Sequence, residues 1–347
     1  MNFIKKFFSK SNNNTQSVNV VQNYLLPSGF YDLLFDEAKD SHQKINIILE
    51  GFFQRNFQLI KTPLLEFEDS FFFPKNYSDN SQDYFRTIDN ISAKTLILRN
   101  DITLQINRLL ATRLKNTELP LKLCYVGDVL QTANDQLYGD RQQTQVGCEI
   151  IGENSSKHYQ QDAIFEIIST TIEALNKIGL NELVINFSFP DFLEIFLKEY
   201  DSDDIIKNQI KIAIINKDLT ALKRLAEKDY DLLKNITLQN DNLTKLITAI
   251  KNHKNNDLIE KQIAKAKNIS DFIEKNFKNI SPHFNLFDID PNQYHHNIAF
   301  DVFVKNFPYP IARAGCYMIN NLQQPSIPAV GATIYINHLR KIFNNKS

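Results

Sequence analysis

The chain has 347 residues, 43% of them hydrophobic, which is enough to bury one large core or two modest ones. Its 39 Lys and Arg against 40 Asp and Glu leave a net charge of −1, so no overall basic field draws it to nucleic acid. The three cysteines, Cys124, Cys148 and Cys316, are odd in number and show no C-x-x-C spacing, which argues against a disulfide framework or a structural zinc and suits a reducing compartment.

The opening Met1-Asn2-Phe3-Ile4-Lys5-Lys6-Phe7-Phe8 interleaves charge with apolar residues and lacks the unbroken apolar run of about 7–15 residues that a secretory signal needs. No segment approaches the roughly 20 apolar residues of a membrane span. A cytoplasmic protein without a membrane partner is expected. Residues 1–22, rich in Ser and Asn from Ser9 onward, read as a flexible leader. Leu26-Pro27-Ser28-Gly29 signals a turn, and Asp36 to Phe57 reads as a helix with Ile45, Ile48, Leu49, Phe52 and Phe53 at helical spacing. Phe57 to Glu66 reads as a strand ending near Pro63. Thr95–Arg99, Leu123–Leu130 and Thr144–Ile151 read as further strands, in which Gly127 and Gly147 imply close backbone approach or bulges. Asp101–Lys115 and Gln160–Ile178 read as helices, the second ended by Gly179, and Leu183–Ser188 returns as a strand.

From Phe192 to about Phe277 Leu, Ile and Lys dominate and apolar residues fall at helical spacing, as at Leu219, Leu222 and Leu225 and at Leu243, Leu246 and Ile247. This predicts an insertion of three to five helices. The sheet resumes at Asn297–Val304 and at Ala329–Ile336, followed by a short helix from Asn337. The fold expected is α+β: a mixed, largely antiparallel sheet with flanking helices, interrupted by the helical insertion. Its division is a leader (1–22), a first part of the core (23–190), the insertion (191–280) and the remainder of the core (281–347).

Acceptor side chains mark a candidate site. Asp101 and Thr103 open one helix, while Gln145 and Glu149 share a strand face because even offsets point the same way. A free amino acid carries an ammonium, and burying that charge unpaired is costly, so its pocket needs carboxylates and amide oxygens of this kind. The neighbouring His295 and His296 point to opposite strand faces, and a metal would need further ligands. No metal or cofactor is expected.

Three stretches carry a resemblance: Leu98-Arg99-Asn100-Asp101-Ile102-Thr103, then Tyr125-Val126-Gly127 through Val129-Leu130-Gln131-Thr132, then Arg141-Gln142-Gln143-Thr144-Gln145-Val146-Gly147-Cys148-Glu149-Ile150-Ile151-Gly152. Their order and spacing resemble the active-site core of the histidyl-tRNA synthetase family, with its L-R-P-E-x-T, Y-x-G-x-x-F-R and F-x-Q-x-G-x-E-x-x-G motifs. Tyr294-His295-His296-Asn297-Ile298-Ala299-Phe300-Asp301 is similar to Y-Y-T-G-x-V-F-E, Arg313-Ala314-Gly315-Cys316-Tyr317 to R-G-G-R-Y-D, and Pro328-Ala329-Val330-Gly331 to P-A-x-G. The resemblance implies a class II synthetase-like core that dimerises through the Leu26 turn and the helix after it. It also implies a histidine site of Asp101, Thr103, Gln145, Glu149, His295 and Tyr317.

The chemistry of adenylation is not retained with it. The phosphorus transition state of amino-acid activation needs positioned arginines. Where the family reads F-R-x-E this chain reads Leu130-Gln131-Thr132-Ala133, the arginine of R-G-L-D-Y-Y falls on Asp290, and a later E-R pair becomes Asn337-His338. Cys316 and Met318 likewise replace Arg and Asp. The chain stops at Ser347 with no anticodon-reading domain expected, hence no tRNA partner. The pattern resembles the regulatory subunit of ATP phosphoribosyltransferase. That resemblance implies no catalytic activity of its own, activation of a short catalytic subunit within a hetero-octamer, and histidine as effector in histidine biosynthesis. The alternative is a divergent synthetase-like enzyme, or a synthetase paralogue that binds another ligand.

Overall fold

The computed structural model describes residues 25–71, 84–132, 140–153, 159–198, 203–238, 257–285, 295–321 and 324–344. The leader, Ala133, Leu243, Leu246, Ile247, Asp290 and Tyr294 lie outside the described residues. A turn in which the Phe30 N–H donates to the Pro27 carbonyl (3.1 Å) leads into α1 (Phe35–Gln54), whose Ile48, Leu49 and Phe52 turn inward.

The strand expected to end near Pro63 stops before it, and a second strand in another sheet, not expected from the sequence, follows. β1 (Gln58–Ile60) ends early and β2 (Leu65–Phe67) joins β3 (Arg86–Ile88) and β4 (Thr95–Leu98) in a small antiparallel sheet of order β2-β4-β3. Pro63 has no N–H to give a ladder. Its carbonyl is taken by Gln105 Nε2 (2.8 Å), and the Thr62 carbonyl by Arg99 Nη1 (3.1 Å). The chain is therefore pinned and redirected between the two strands. After the one-turn α2 (Glu68–Phe71) and the small sheet comes α3 (Thr103–Ala111), shorter than the predicted helix. Asp101 stands just ahead of it, its Oδ1 accepting the Thr103 N–H at 2.6 Å in an Asx turn. At the other end Leu114 N–H turns back to the Leu109 carbonyl (2.8 Å), which closes the helix.

The main sheet adds β5 (Leu121–Leu130), β6 (Gln142–Ile151), β7 (Leu183–Ser188), β8 (Ile280–Asn285), β9 (His296–Val304), β10 (Ala312–Asn321) and β11 (Gln324–Tyr335). Its order is β1-β5-β6-β11-β10-β9-β7-β8, parallel only between β1 and β5 and between β7 and β8. Sequence periodicity did not reveal β8 and β10 as strands. The β5–β6 ladder runs unbroken from Leu121↔Ile151 to Leu130↔Gln142, so Gly127 and Gly147 are sites of close approach and not bulges. The Arg99 guanidinium lies against Gly127, and the Tyr125 ring against Gly147.

On one face α1 and α4 (Tyr159–Lys177) cover the sheet in the larger core, and α4 stops where Gly179 adopts φ +91. Between β7 and β8 lie α5 (Pro190–Lys198), α6 (Asp204–Ile215), α7 (Leu219–Leu225), α8 (Tyr230–Leu238) and α9 (Asp257–Asn276). The Asp203 and Asp218 carboxylates cap α6 and α7 through Ile206 N–H (2.8 Å) and Ala221 N–H (2.9 Å). Phe272 of α9 stacks on Phe165 of α4 with centroids 4.1 Å apart, joining these helices to the larger core. α10 (Ile336–Asn344) buries Ile336, Leu339 and Ile342 in it. On the opposite sheet face Ile102, just before α3, and Ile106 and Leu110 of α3 are buried over Leu121, Leu123 and Tyr125. Among the described residues no helix is long and apolar enough to cross a membrane.

Candidate functional site

The site lies on the α3 face, where directly opposed residues of neighbouring strands point the same way. Glu149 faces Gly331 across β6–β11, Gly331 faces Gly315 across β11–β10, and Gly147 sits between Tyr125 and Thr333. Three of these places leave no room for a side chain. A Cβ on Gly331 would overlap the Glu149 carboxylate, one on Gly147 the Tyr125 ring, and one on Gly315 the His295 ring. The paired Gly331 and Gly315 thus form a floor, with Glu149 leaning over one and His295 over the other.

Glu149 is 1% exposed and held by hydroxyls from three elements. Its Oε1 accepts from Thr103 Oγ1 (3.2 Å) and Tyr125 OH (3.5 Å), and its Oε2 from Tyr317 OH (3.0 Å). Tyr125 OH is in turn 2.8 Å from Thr333 Oγ1. Burial pushes the Glu149 carboxyl up to about 8, the Tyr317 hydrogen bond opposing and the Asp101 charge adding to the rise. Asp101 is raised too, first by burial, and it shares a side-chain hydrogen bond with Gln145. Burial, then the Glu149 charge, carries the Tyr125 phenol well above its usual range. The Gln145 side chain is 3% exposed, and its Oε1 has no hydrogen-bond partner among the described residues.

Two carboxyls and an unsatisfied amide oxygen therefore converge, and the guanidinium groups nearby in sequence are engaged elsewhere. Arg99 bonds Thr62, Gln105 and the Asp128 carbonyl, and Arg108 pairs with Glu66 at 2.6 Å. Arg141 lies over the Phe30 and Phe85 rings, and Arg313 pairs with Asp301 at 3.1 Å. What the site asks for is a ligand rich in N–H donors. Among the described residues no group of three or more His, Cys, Asp and Glu is placed to hold a metal.

Of the residues singled out from sequence, Asp101, Thr103, Gln145, Glu149 and Tyr317 are brought together by these contacts, and His295 stands on the far side of the glycine floor. Tyr125 and Thr333 were missed. Tyr125 lies in a stretch already quoted, and its ring needs the bare Gly147 opposite. Thr333 lies two residues beyond Gly331 and so shares its face. The departures from the family pattern also acquire places. Cys316 is buried in the larger core on the opposite sheet face from Tyr317, so its exchange for arginine leaves the floor untouched. Gln131 is backbone-paired with Arg141, its N–H donating to the Arg141 carbonyl at 2.8 Å. Asn337 pins α10 to β6 by accepting the Thr144 N–H (3.0 Å) and donating to the Gln142 carbonyl (2.9 Å), and the His338 ring meets the Pro310 carbonyl at 2.7 Å.

A largely antiparallel sheet of this order, with helices on both faces and a polar site over its central strands, defines a class II synthetase-like protein. The chain belongs to the histidyl-tRNA synthetase family, whose profile matches residues 29–339. Curated relatives named ATP phosphoribosyltransferase regulatory subunit include one from Rhodospirillum rubrum, 32% identical over 202 residues (58% of this chain, 51% of that one). That match spans about half of the relative's length. Another, from Rhodospirillum centenum, is 26% identical over 316 residues (90% of this chain, 78% of that one). Among solved structures, an ATP phosphoribosyltransferase regulatory subunit/histidyl-tRNA synthetase from Bacillus halodurans superimposes with a TM-score of 0.76 at 20% identity, covering 92% of this chain and 82% of that one. The ATP phosphoribosyl transferase (HisG:HisZ) complex from Thermotoga maritima gives a TM-score of 0.64 at 17% identity, covering 85% and 97%. At these identities the structural likeness concerns the fold.

Proposed function

We propose that this chain is a non-catalytic, cytoplasmic regulatory subunit of ATP phosphoribosyltransferase that activates a short catalytic subunit and binds histidine as its feedback signal. The observation that carries this reading is the acceptor set of the partly buried Asp101, the buried Glu149 and the unpartnered Gln145 Oε1. An ammonium entering there lets the carboxyls ionise and supplies the donors that the amide oxygen lacks. Gln131, in place of an arginine, and the names of the curated relatives support a sensor over an adenylating enzyme. His295 across the floor is the side chain to meet the imidazole, and Tyr317 orients Glu149.

Regulation follows from linkage. Histidine favours the arrangement of the hetero-octamer that binds it more tightly, and a difference of about 1–3 kcal/mol between states sets the degree of inhibition. Apolar side chains exposed at the start of α1 (Leu34, Phe35), on β1 (Leu59) and on the small sheet (Leu65, Ile88) suit a homodimer of the core. The deciding experiment is calorimetric titration with L-histidine, with ATP and histidinol as controls, followed by reconstitution with a short catalytic subunit. Histidine binding without ATP, and histidine-sensitive transferase activity only in the mixture, are expected. Histidine-dependent ATP–pyrophosphate exchange by this chain alone would overturn the proposal in favour of a synthetase-like enzyme.

A further inference from the structure

His295 owes its place over Gly315 to an irregularity in β9. Gly315 pairs with Ala299, yet the next residue, Cys316, pairs with His296, so Asn297 and Ile298 are extra residues opposite a single step of β10. Asn297 sits at φ +68, a left-handed conformation that asparagine tolerates better than most residues. A bulge strips N–H groups of their ladder partners, and here each finds another. The Asn297 N–H donates to Asp191 Oδ2 at 2.8 Å, and the Ile298 N–H to the Cys316 thiol. The Asn297 side chain is held as well, its Oδ1 accepting from Lys265 Nζ at 2.5 Å.

Asp191 is on α5 and Lys265 on α9, two helices that lie between β7 and β8, and neither residue is among those that surround Glu149. From this arrangement we infer that Asp191 and Lys265 are positioning residues that grip the Asn297 bulge and so set the pose of His295. The helices between β7 and β8 thereby gain a mechanical hold on the ligand site. Lys265 is half-buried, so its bond to Asn297 is less diluted by water than a surface contact. A partner or ligand that shifts α9 relative to the sheet would change the far wall of the site without touching Glu149. The effect on affinity rests on the histidine reading above; the effect on His295 does not.

The test uses the full chain labelled at the histidine ring carbons, with the His295 resonance assigned from His295→Gln. Lys265→Met removes the donor and keeps the stem, Asp191→Ala removes the backbone acceptor, and Asp191→Asn keeps an acceptor. Lys265→Met and Asp191→Ala should shift the His295 resonance and weaken histidine binding about tenfold, with Asp191→Asn near wild type. Should Asp191→Ala fail to fold, Lys265→Met carries the test alone, since it removes one side-chain contact. A His295 resonance unmoved in a folded Lys265→Met protein overturns the inference. A resonance that moves in a wild-type background with no histidine affinity sustains the positioning role and counts against histidine as the ligand.

Discussion

Replacing Glu149 with glutamine should stabilise the ligand-free protein at neutral and alkaline pH while abolishing its affinity for an amine. A glutamate in the unfolded chain ionises near 4.5, whereas in the folded site burial moves it to about 8. Between those values the folded state keeps a proton that the unfolded state has released. Unfolding therefore loses a proton, and stability falls as pH rises through the window, by about 1.4 kcal/mol per pH unit. Carried across the window this reaches about 5 kcal/mol as a ceiling, and about 3 kcal/mol by neutral pH. Asp101, raised in the same direction and coupled to Glu149, adds to the slope, which belongs to the pair. Glutamine keeps the shape, and the hydroxyls of Thr103, Tyr125 and Tyr317 can turn from donor to acceptor to suit its amide. Urea unfolding of both proteins between about pH 5 and 9 reads the effect directly. The wild-type curve should descend with pH and cross a flatter Glu149→Gln curve. Parallel pH profiles would refute the claim that Glu149 is a buried, cation-starved carboxyl.

Gly331→Ala places a methyl group where the Glu149 carboxylate now lies. It should cut histidine affinity at least about a hundredfold and cost about 1–3 kcal/mol of stability; titration calorimetry showing wild-type affinity would remove Gly331 from the floor. The exposed apolar residues at the start of α1 and on the small sheet provide a third test. Phe35→Asp together with Ile88→Asp should convert a dimer to a monomer in sedimentation velocity with unchanged far-ultraviolet circular dichroism. A dimer that persists would move the interface elsewhere.

How much of this was legible in the sequence depended on how local the cause was. β7 was read at its observed bounds because Leu183, Ile185 and Phe187 alternate with half-buried residues, and α4 because its apolar stripe ends at a glycine. β8 escaped notice because Ile280-Ser281-Pro282-His283-Phe284-Asn285 contains a proline and little apolar alternation. It is an edge strand, where a missing N–H is tolerated. β2 did not stand out as a strand of its own, because nothing local to Thr62 and Pro63 announces that Arg99 and Gln105 will seize their carbonyls and turn the chain into a second sheet. The acceptors Asp101, Thr103, Gln145 and Glu149 were visible as residue types in a recognisable order. Tyr125 and Thr333 were not, because only the sheet brings a residue of β11 against one of β5.

The same long reach governs how the molecule comes into being. Glu149 and Tyr317 are 168 residues apart, and Tyr125 and Thr333 are 208 apart. A ribosome delivers the β5–β6 hairpin long before β11 emerges to cover the free edge of β6. Until then that edge is an open template for pairing with another nascent chain. Closing so long a loop is entropically costly and slow. The candidate site is thus completed only when the central strand slots home, and a ligand held there would stabilise the finished sheet and not its precursors.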